Sequence, residues 1–311
     1  MTTTIERTSA ISGATEKGVR RRRRRTPAWG FLAPYLVLLI LFGVAPALYG
    51  LFQAFQVTQA IGPTTFSLTK NFIAVLEDYR LPTASLHVLL YLLLWLPLLI
   101  VIVFLLALVI DAKHTKFGAV TRFISYIPGA ITGSAAALLW LFMFSPQVSP
   151  IGGLLKMFAN KSGSFLSDQT LPIVLAVMGI AAGAGGWVVV LYGALTAIPR
   201  DVIESATLDG ANAWDLAWRI KLPLIKGYVA FILIVSTAQG FQVFVEPTVI
   251  GTGAPGQISQ TWSINQLAYS YAAQQSNYGE AAALSILLLL VCVGLAVGVI
   301  KGTKLYSIGD D

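Results

Sequence analysis

Charged side chains are scarce in this sequence, and their scarcity argues against a soluble fold. Asp, Glu, Lys and Arg make up 11% of the 311 residues, whereas a soluble domain carries about 25% charged residues. Apolar residues make up 56%, and they are gathered in runs long enough to cross about 30 Å of hydrocarbon. We therefore expect lipid to surround most of this chain.

Cysteine and histidine are also scarce, which limits the chemistry. Cys292 is the only cysteine, and this excludes an intrachain disulfide and a cysteine-based metal site. His87 and His114 flank the same apolar run at opposite ends, so we interpret them as interfacial residues and expect no metal site. Neither a Ser/His arrangement nor paired carboxylates are predicted at membrane depth, which argues against an intramembrane enzyme.

The phosphate-binding sequence G-x-x-x-x-G-K-[ST] is missing as well. Its absence excludes ATP binding through such a loop, and we expect no cofactor and no catalytic residue on this chain. A secondary transporter driven by protons or sodium is a further alternative, and such proteins commonly place carboxylates within their spans. Here Glu246 and Glu280 lie near the ends of apolar runs, which argues against that alternative.

The apolar runs that are present predict an all-α fold. They are rich in Leu, Val, Ile, Ala and Gly, and open sheet edges cannot be satisfied in hydrocarbon. We predict a polytopic membrane bundle of about six helices over residues 27–311, preceded by a basic tail over residues 1–26. The spans are expected at about 29–55, 84–110, 121–145, 171–197, 227–250 and 280–300. Five prolines are expected to kink or start these helices: Pro34, Pro46, Pro97, Pro128 and Pro172.

Lys and Arg predict the orientation of the bundle. With the N-terminus inside, 17 of the 21 basic residues fall on the inner side, and the run Arg20–Arg25 is the largest group. This asymmetry predicts that both termini are cytoplasmic. The same run could bind anionic lipid head groups, or it could open a secretory signal, although the following apolar run is long for a signal core.

Residues 198–226 form a charged, amphipathic stretch between two apolar runs. Asp201 and Glu204 favour the start of a short helix, and Gly210 would end or bend it. A second amphipathic helix is expected to continue to Pro223. The apolar residues that could press one side of the stretch against a partner are Ile203, Ala206, Leu208, Ala211 and Leu216. A helix resting on lipid head groups is the alternative.

The same stretch resembles the EAA signature of permease subunits in binding-protein-dependent ABC importers. That signature contains a Glu-Ala-Ala triplet, a following Gly and a Leu-Pro pair. Ser205 stands where the middle Ala is usual. The segments Gly251–Pro255 and Tyr278–Ala282 are similar to further elements of the maltose-permease-like branch. The residues that match the signature are Glu204, Ala206, Asp209, Gly210, Ala211, Ile220, Leu222 and Pro223.

This resemblance implies the type I importer fold and a set of partners. Residues 198–226, the coupling segment, would seat a helix in a separate ATPase that binds ATP and Mg²⁺, with Glu204 at its surface. A second permease subunit would complete a heterodimer in a bacterial-type inner membrane. An extracytoplasmic binding protein would meet the outer loops near 57–83, 146–170 and 251–279. The cargo would be a sugar, with polyols and glycerol phosphate esters left open.

Polar residues in the fifth apolar run predict where the cargo passes. Ser236, Gln239, Gln242 and Glu246 are spaced by three, three and four residues, so they share one face of a continuous helix. Such side chains face a watery path or hold helices together. Phe241 and Phe244 could offer ring faces to a sugar.

The fourth apolar run is rich in glycine, which lets helices approach closely. Gly183 and Trp187 are its candidates for the path. By resemblance, Gly183 and Ser236 match sugar-contact positions of the maltose-permease-like branch. Gly179 and Gly186 stand in place of larger residues, so the alternative that this subunit only lines half of the path stays open.

Overall fold

The structure is a computed structural model that describes residues 29–58, 63–112, 116–159 and 163–302. The predictions for the basic tail 1–26, for its Arg20–Arg25 run and for His114 lie outside these residues. The rest of the predicted organisation can be compared with the fold directly.

α-Helices make up most of the described chain, and the predicted all-α class is confirmed. Gln56–Val57 (β1) and Thr65–Phe66 (β2) form a two-stranded antiparallel pair in which Gln56 lies opposite Phe66. The side-chain amide of Asn71 donates hydrogen bonds to the carbonyl oxygens of Ala54 and Gln56 and so links α3 (Lys70–Glu77) to the start of this pair.

The helices in chain order are α1 (Trp29–Leu39), α2 (Ala45–Gln53), α3 (Lys70–Glu77), α4 (Arg80–Ala112), α5 (Lys116–Tyr126), α6 (Gly133–Met143), α7 (Gly152–Met157), α8 (Leu171–Thr196), α9 (Arg200–Leu208), α10 (Ala213–Asp215), α11 (Leu222–Phe241), α12 (Val245–Gly253), α13 (Ile264–Tyr269) and α14 (Tyr278–Gly302).

Helices α1 and α2 follow one another through a π-helical turn at Ile40–Val44. Pro34 lies inside α1, and Pro46 is the second residue of α2. The stretch Phe31–Gln53 is long and apolar enough to cross a membrane. Its length agrees with the predicted span 29–55.

Four further helical stretches of the described chain are long and apolar enough to be spans. They are Arg80–Ala112, Leu171–Thr196, Ala213–Phe241 and Tyr278–Gly302. A bent pair, Val120–Ala130 with Gly133–Met143, makes a sixth span if its two halves are counted together. The prediction of about six spanning helices agrees with this arrangement.

The third span, predicted over 121–145 with Pro128 expected to kink or start a helix, consists of two helices separated by a sharp bend. Its two halves meet at an angle of 98°. Pro128 opens a short 3-10 turn, and Gly133 has a φ of +62°, a conformation that glycine adopts without steric cost. Ile131 and Thr132 lie at the bend and border a cavity.

The fifth span also differs from its predicted bounds, 227–250. α10, a π-helical turn at Leu216–Lys221 and α11 form one helix from Ala213 to Phe241. Pro223 has no N–H, and its ring crowds the preceding turn, which the wider π-helical turn accommodates. The second amphipathic helix therefore does not stop at Pro223. At the far end the helix stops at Phe241, and α12 begins only at Val245.

Helices α4 and α8 form the centre of the bundle. Fully buried side chains from both helices fill the space between them: Val88, Leu99 and Val103 from α4, and Leu171, Val174 and Val188 from α8. Two glycines bring the bent third span against α8. A Cβ on Gly185 would collide with the carbonyl oxygen of Ser125, and a Cβ on Gly129 would collide with that of Ala182. Close backbone approach of this kind is typical of helices packed in lipid.

Candidate functional site

A cavity of about 420 Å³ lies between α4, α6, α8 and the segment that follows α11. Its volume is within the range of about 300–1,000 Å³ found for small-molecule sites. The bend of the third span and the end of α11 both open into it. The residues that line it are Tyr91, Trp95, Ile131, Thr132, Gly133, Ala136, Trp140, Leu175, Met178, Gly179, Ala182, Gly183, Gln239, Gln242, Val243, Phe244, Val245 and Glu246.

Aromatic rings form one wall of this cavity. Tyr91 and Trp95 lie one helical turn apart on α4 and stack at 5.3 Å between ring centroids, with 9° between their planes. Glycines make room for the indole. A Cβ on Gly179 would come within 2.6 Å of Trp95 Nε1, and a Cβ on Gly240 within 3.0 Å of its Cζ3. The absence of a larger residue at Gly179 is thus explained by the packing of Trp95.

Polar groups approach the cavity from the other side. The chain leaves helical geometry after Phe241, and Gln242 to Glu246 curve along the cavity before α12 continues. Gln239 and Gln242 have exposed side chains that can donate and accept hydrogen bonds. Stacked rings beside amides and a carboxylate suit a ligand with both apolar faces and hydroxyl groups.

The predicted path residues divide into two groups. Gly183, Gln239 and Gln242 line the cavity. Ser236 is fully buried, and its Oγ has no hydrogen-bond partner among the described residues. Trp187 packs edge-on against Phe231, with 6.1 Å between ring centroids. Phe241 borders a groove between α4 and α14 instead.

The predicted helical face of Ser236, Gln239, Gln242 and Glu246 is interrupted, because α11 ends at Phe241 and α12 begins at Val245. Gln239, Gln242 and Glu246 nevertheless line the same cavity, whereas the buried Ser236 does not. Sequence reasoning also missed Tyr91, Trp95 and Trp140. The available signal was two large aromatic residues at a spacing of four in the otherwise aliphatic middle of α4.

A second cavity of about 210 Å³ adjoins the first at Phe244, whose side chain borders both. It lies at the end of the bundle opposite residues 198–226. Phe244 packs against Tyr269 at 5.3 Å between ring centroids. The other residues that line it are Pro247, Thr248, Gly251, Thr252, Ile258, Ser259, Gln260, Gln266 and Gln274.

The coupling segment begins with α9, and the hydrogen bonds that end this helix depend on Gly210. The N–H of Gly210 donates to Thr207 O, and the N–H of Ala211 donates to Ala206 O. This pairing is a Schellman motif, which needs a left-handed residue after the helix. Gly210 supplies it with a φ of +90°.

The exposed face of α9 differs from the face expected from sequence. Ile203 and Ala206 are half-buried, whereas Leu208 is 88% exposed. Leu208 therefore does not share the inward side with them. Glu204 is exposed and borders a cleft of about 620 Å³ beside the end of α4. An apolar side chain and a carboxylate are thus both presented to the surroundings of α9.

The second half of the coupling segment is tied to the end of α4. The side-chain oxygen of Asn212 accepts from the N–H groups of Trp214 and Asp215 and so starts the long helix. Lys221 Nζ lies 2.6 Å from Asp111 Oδ2, and both side chains are largely buried. Trp218 packs edge-on against Phe104. The helix that carries Tyr91 and Trp95 is therefore attached directly to the coupling segment.

A polar cluster joins α4 to the region before α14 at the opposite end. Asp78 accepts hydrogen bonds from the guanidinium of Arg80, at 2.7 Å from Nη2, and from the hydroxyl of Tyr271, at 2.6 Å. The hydrogen bonds from Arg80 are the main cause that lowers the pKa of Asp78 to about 2. Burial, together with the adjacent Asp78 carboxylate, raises the pKa of Tyr271.

We expect Asp78→Asn to destabilise the protein by about 2 kcal/mol, because it removes hydrogen bonds to a charged acceptor. The folded-state pKa of Asp78 is lowered, so its contribution is present above pH 4 and lost as the pH falls through about 2. Thermal unfolding in nanodiscs should show a gap between wild type and variant that is constant from pH 7 to about pH 4 and then shrinks. A gap that does not change with pH would contradict this role of the carboxylate.

Comparison with known proteins places these features in context. A family model described as "Binding-protein-dependent transport system inner membrane component" matches residues 74–302. The probable starch degradation products transport system permease protein AmyD of Thermoanaerobacterium thermosulfurigenes is 25% identical over 268 residues, which cover 86% of this chain and 91% of that protein. The sn-glycerol-3-phosphate transport system permease protein UgpA of Brucella suis is 28% identical over 272 residues, with coverage of 85% and 90%.

A solved structure shows the same fold. It is a crystal structure of a bacterial alginate ABC transporter in complex with an alginate pentasaccharide-bound periplasmic protein, and one of its chains matches this chain with a TM-score of 0.72. The match covers 90% of this chain and 95% of that chain, at 21% sequence identity. At this identity the likeness concerns the arrangement of the helices.

Proposed function

The chain belongs to the family of binding-protein-dependent transport system inner membrane components, and on that premise we propose that its bundle lines half of a transport path for a carbohydrate. The family membership confirms the predicted permease family, and the EAA signature at residues 198–226 stays a prediction that is consistent with it. AmyD and UgpA are named for sugar and sugar-alcohol derivatives, which supports a carbohydrate as cargo. As a transport subunit, the chain would leave ATP hydrolysis to a partner.

The observation that carries this proposal is the cavity between α4, α6, α8 and the end of α11. It combines the stacked rings of Tyr91 and Trp95 with the amides of Gln239 and Gln242. Sugars present apolar ring faces and a rim of hydroxyl groups, so they match such a lining. The cavity also lies where four spanning helices meet, as a transport path requires.

The remaining partners follow from the two ends of the bundle. We infer that α9, with Glu204 and Leu208 exposed, docks into a separate ATPase that binds ATP and Mg²⁺. A second permease subunit would close the open side of the cavity. The extracytoplasmic binding protein would approach the opposite end. In this assembly both termini of the chain would lie in the cytoplasm of a bacterial cell.

Filling the cavity at Gly183 tests the proposed path. A Cβ on Gly183 meets nothing within 4 Å, so Gly183→Leu should fold normally and place four carbon atoms in the cavity. Because overfilling a site costs about 1–3 kcal/mol, we expect transport to fall by about tenfold to a hundredfold. The measurement is ATP-dependent sugar uptake into proteoliposomes that contain the whole transporter and its binding protein.

Gly186→Leu is the matched control for this substitution. Gly186 lies three residues further along α8, also has open space around its Cβ, and does not line the cavity. It should retain uptake close to wild type. Equal uptake by the two variants would remove the cavity from the path, and loss of assembly in both would show that this face of α8 serves packing alone.

A further inference from the structure

The cavity linings carry charge of one sign only. Of the described residues that border either cavity, none is Lys, Arg or His, and Glu246 is the single acidic residue. The ion pairs within the described chain do not include Glu246. A carboxylate without a partner cation can accept hydrogen bonds from hydroxyl groups, but it repels a phosphate or a uronate.

Glu246 also occupies the helix end that would otherwise attract an anion. It lies in the first turn of α12, where a negative side chain interacts favourably with the positive end of the helix. The Glu246 carboxylate therefore already compensates the partial positive charge at the N-terminus of α12. Proteins that bind phosphate or carboxylate groups supply Arg or Lys for the purpose, and neither lining offers one.

The second cavity extends the path beyond one binding position. Phe244 borders both cavities, Tyr269 borders the smaller one, and the rings of these two residues pack against each other. Gln260 and Gln274 are exposed polar residues of the same lining. The smaller cavity thus repeats the combination of rings and amides found in the larger one, at about half its volume.

From these features we propose that the path takes an uncharged saccharide of at least two units, with one unit in each of the two cavities that meet at Phe244. This inference rests on the proposed function and narrows the class of carbohydrate that the chain would transport. Glu246 disfavours sugar phosphates and uronate-containing sugars, and the described linings of this subunit supply no cation to compensate it. The partly exposed Phe244 ring would stack on the apolar face of a sugar, and the buried Tyr91 and Trp95 contribute to the apolar wall of the larger cavity.

Binding without the binding protein tests the charge preference of the path itself. The complex of this chain with its second permease and ATPase, in nanodiscs, is titrated with maltose and cellobiose and with their counterparts that carry one uronic acid. The Glu246 carboxylate repels the carboxylate of the uronic acid. We therefore expect the uncharged disaccharide to bind at least about tenfold more tightly.

Charge variants at Glu246 separate this effect from sugar recognition in general. Glu246→Gln should bring the two affinities to within about threefold, and Glu246→Arg should reverse the preference. Tighter binding of the uronate by wild type would overturn the inference and point to the N-terminus of α6, where Thr132 provides no side-chain cap. If no saccharide binds and none is taken up by the complete system, the proposed function itself fails.

Cargo length is tested in the second cavity. Thr252→Leu fills it from α12, where Thr252 is exposed, and should weaken binding of di- and trisaccharides about tenfold more than it weakens binding of monosaccharides. Gln275→Leu is the control, because Gln275 is exposed next to the cavity but does not line it. An equal effect of Thr252→Leu on mono- and disaccharides would overturn the two-unit arrangement.

Discussion

Replacing Gly210 by proline is expected to abolish coupled transport while the membrane bundle stays folded. Gly210 has a φ of +90°, whereas proline is restricted to about −65° and has no N–H. The substitution therefore removes the hydrogen bond to Thr207 O and misplaces the one from Ala211 to Ala206 O. α9 would lose its defined end, and a helix without a defined end cannot transmit a displacement from the ATPase.

A graded series at Gly210 distinguishes this effect from a general loss of structure. Asn adopts left-handed geometry more readily than Ala, and the left-handed region costs most residues about 1–2 kcal/mol. Transport should therefore decrease in the order Gly, Asn, Ala, Pro, with the proline variant at least about tenfold below wild type. The measurements are uptake, ATP hydrolysis and co-purification of the ATPase. If Gly210→Pro takes up sugar at the wild-type rate, the assignment of α9 as the coupling helix is contradicted.

Removing Lys221 is expected to destabilise the protein by about 3 kcal/mol, since it leaves the Asp111 carboxylate largely buried without its partner. The Lys221 Nζ to Asp111 Oδ2 distance is 2.6 Å, and the two side chains are 17% and 12% exposed. Exchanging the two residues, Asp111→Lys with Lys221→Asp, should recover much of the loss. Thermal unfolding in nanodiscs measures the stability of each variant.

A neighbouring ion pair provides the control. Arg219 and Asp215 are one turn apart, 3.2 Å between Nη1 and Oδ1, and the Arg219 side chain is 81% exposed. An exposed pair of this kind contributes about 0.5 kcal/mol or less, so Arg219→Ala should have little effect. Because Asp111 shares α4 with Tyr91 and Trp95, Lys221→Ala should also raise the ATP consumed per sugar moved. Equal stability of Lys221→Ala and Arg219→Ala would contradict the structural role of the buried pair.

The spans could be predicted from sequence because each depends on local composition. A run of about 20 apolar residues becomes a helix in lipid whatever its neighbours are. The observed bounds of α4, α8 and α14 accordingly lie within four residues of 84–110, 171–197 and 280–300. Gly210 was recognised for a similar reason, since the end of a helix is encoded by the residue that follows it.

The interruptions of the spans could not be predicted in the same way. Pro128 was expected to kink or start a helix, but the 98° bend also requires Gly129 and Gly185 to bring α5 and its following turn against α8. The break after Phe241 lies between Gly240 and Pro247, and these two residues favour an interruption without fixing where the helix ends. Both interruptions depend on what lies opposite them in the bundle, and both line the cavity.

Composition and local patterns by themselves determined that this chain is a membrane bundle with a charged, amphipathic segment at residues 198–226, because hydrocarbon imposes the same demand on every span. Only the tertiary structure decided which side chains meet. It placed Tyr91 and Trp95 opposite Gln239, joined Asp111 to Lys221 across 110 positions, and buried Ser236 away from the cavity. In lipid, burial distinguishes one apolar face from another only weakly. Helix rotation is therefore set by close packing at glycines and by paired polar groups, which come from distant parts of the chain.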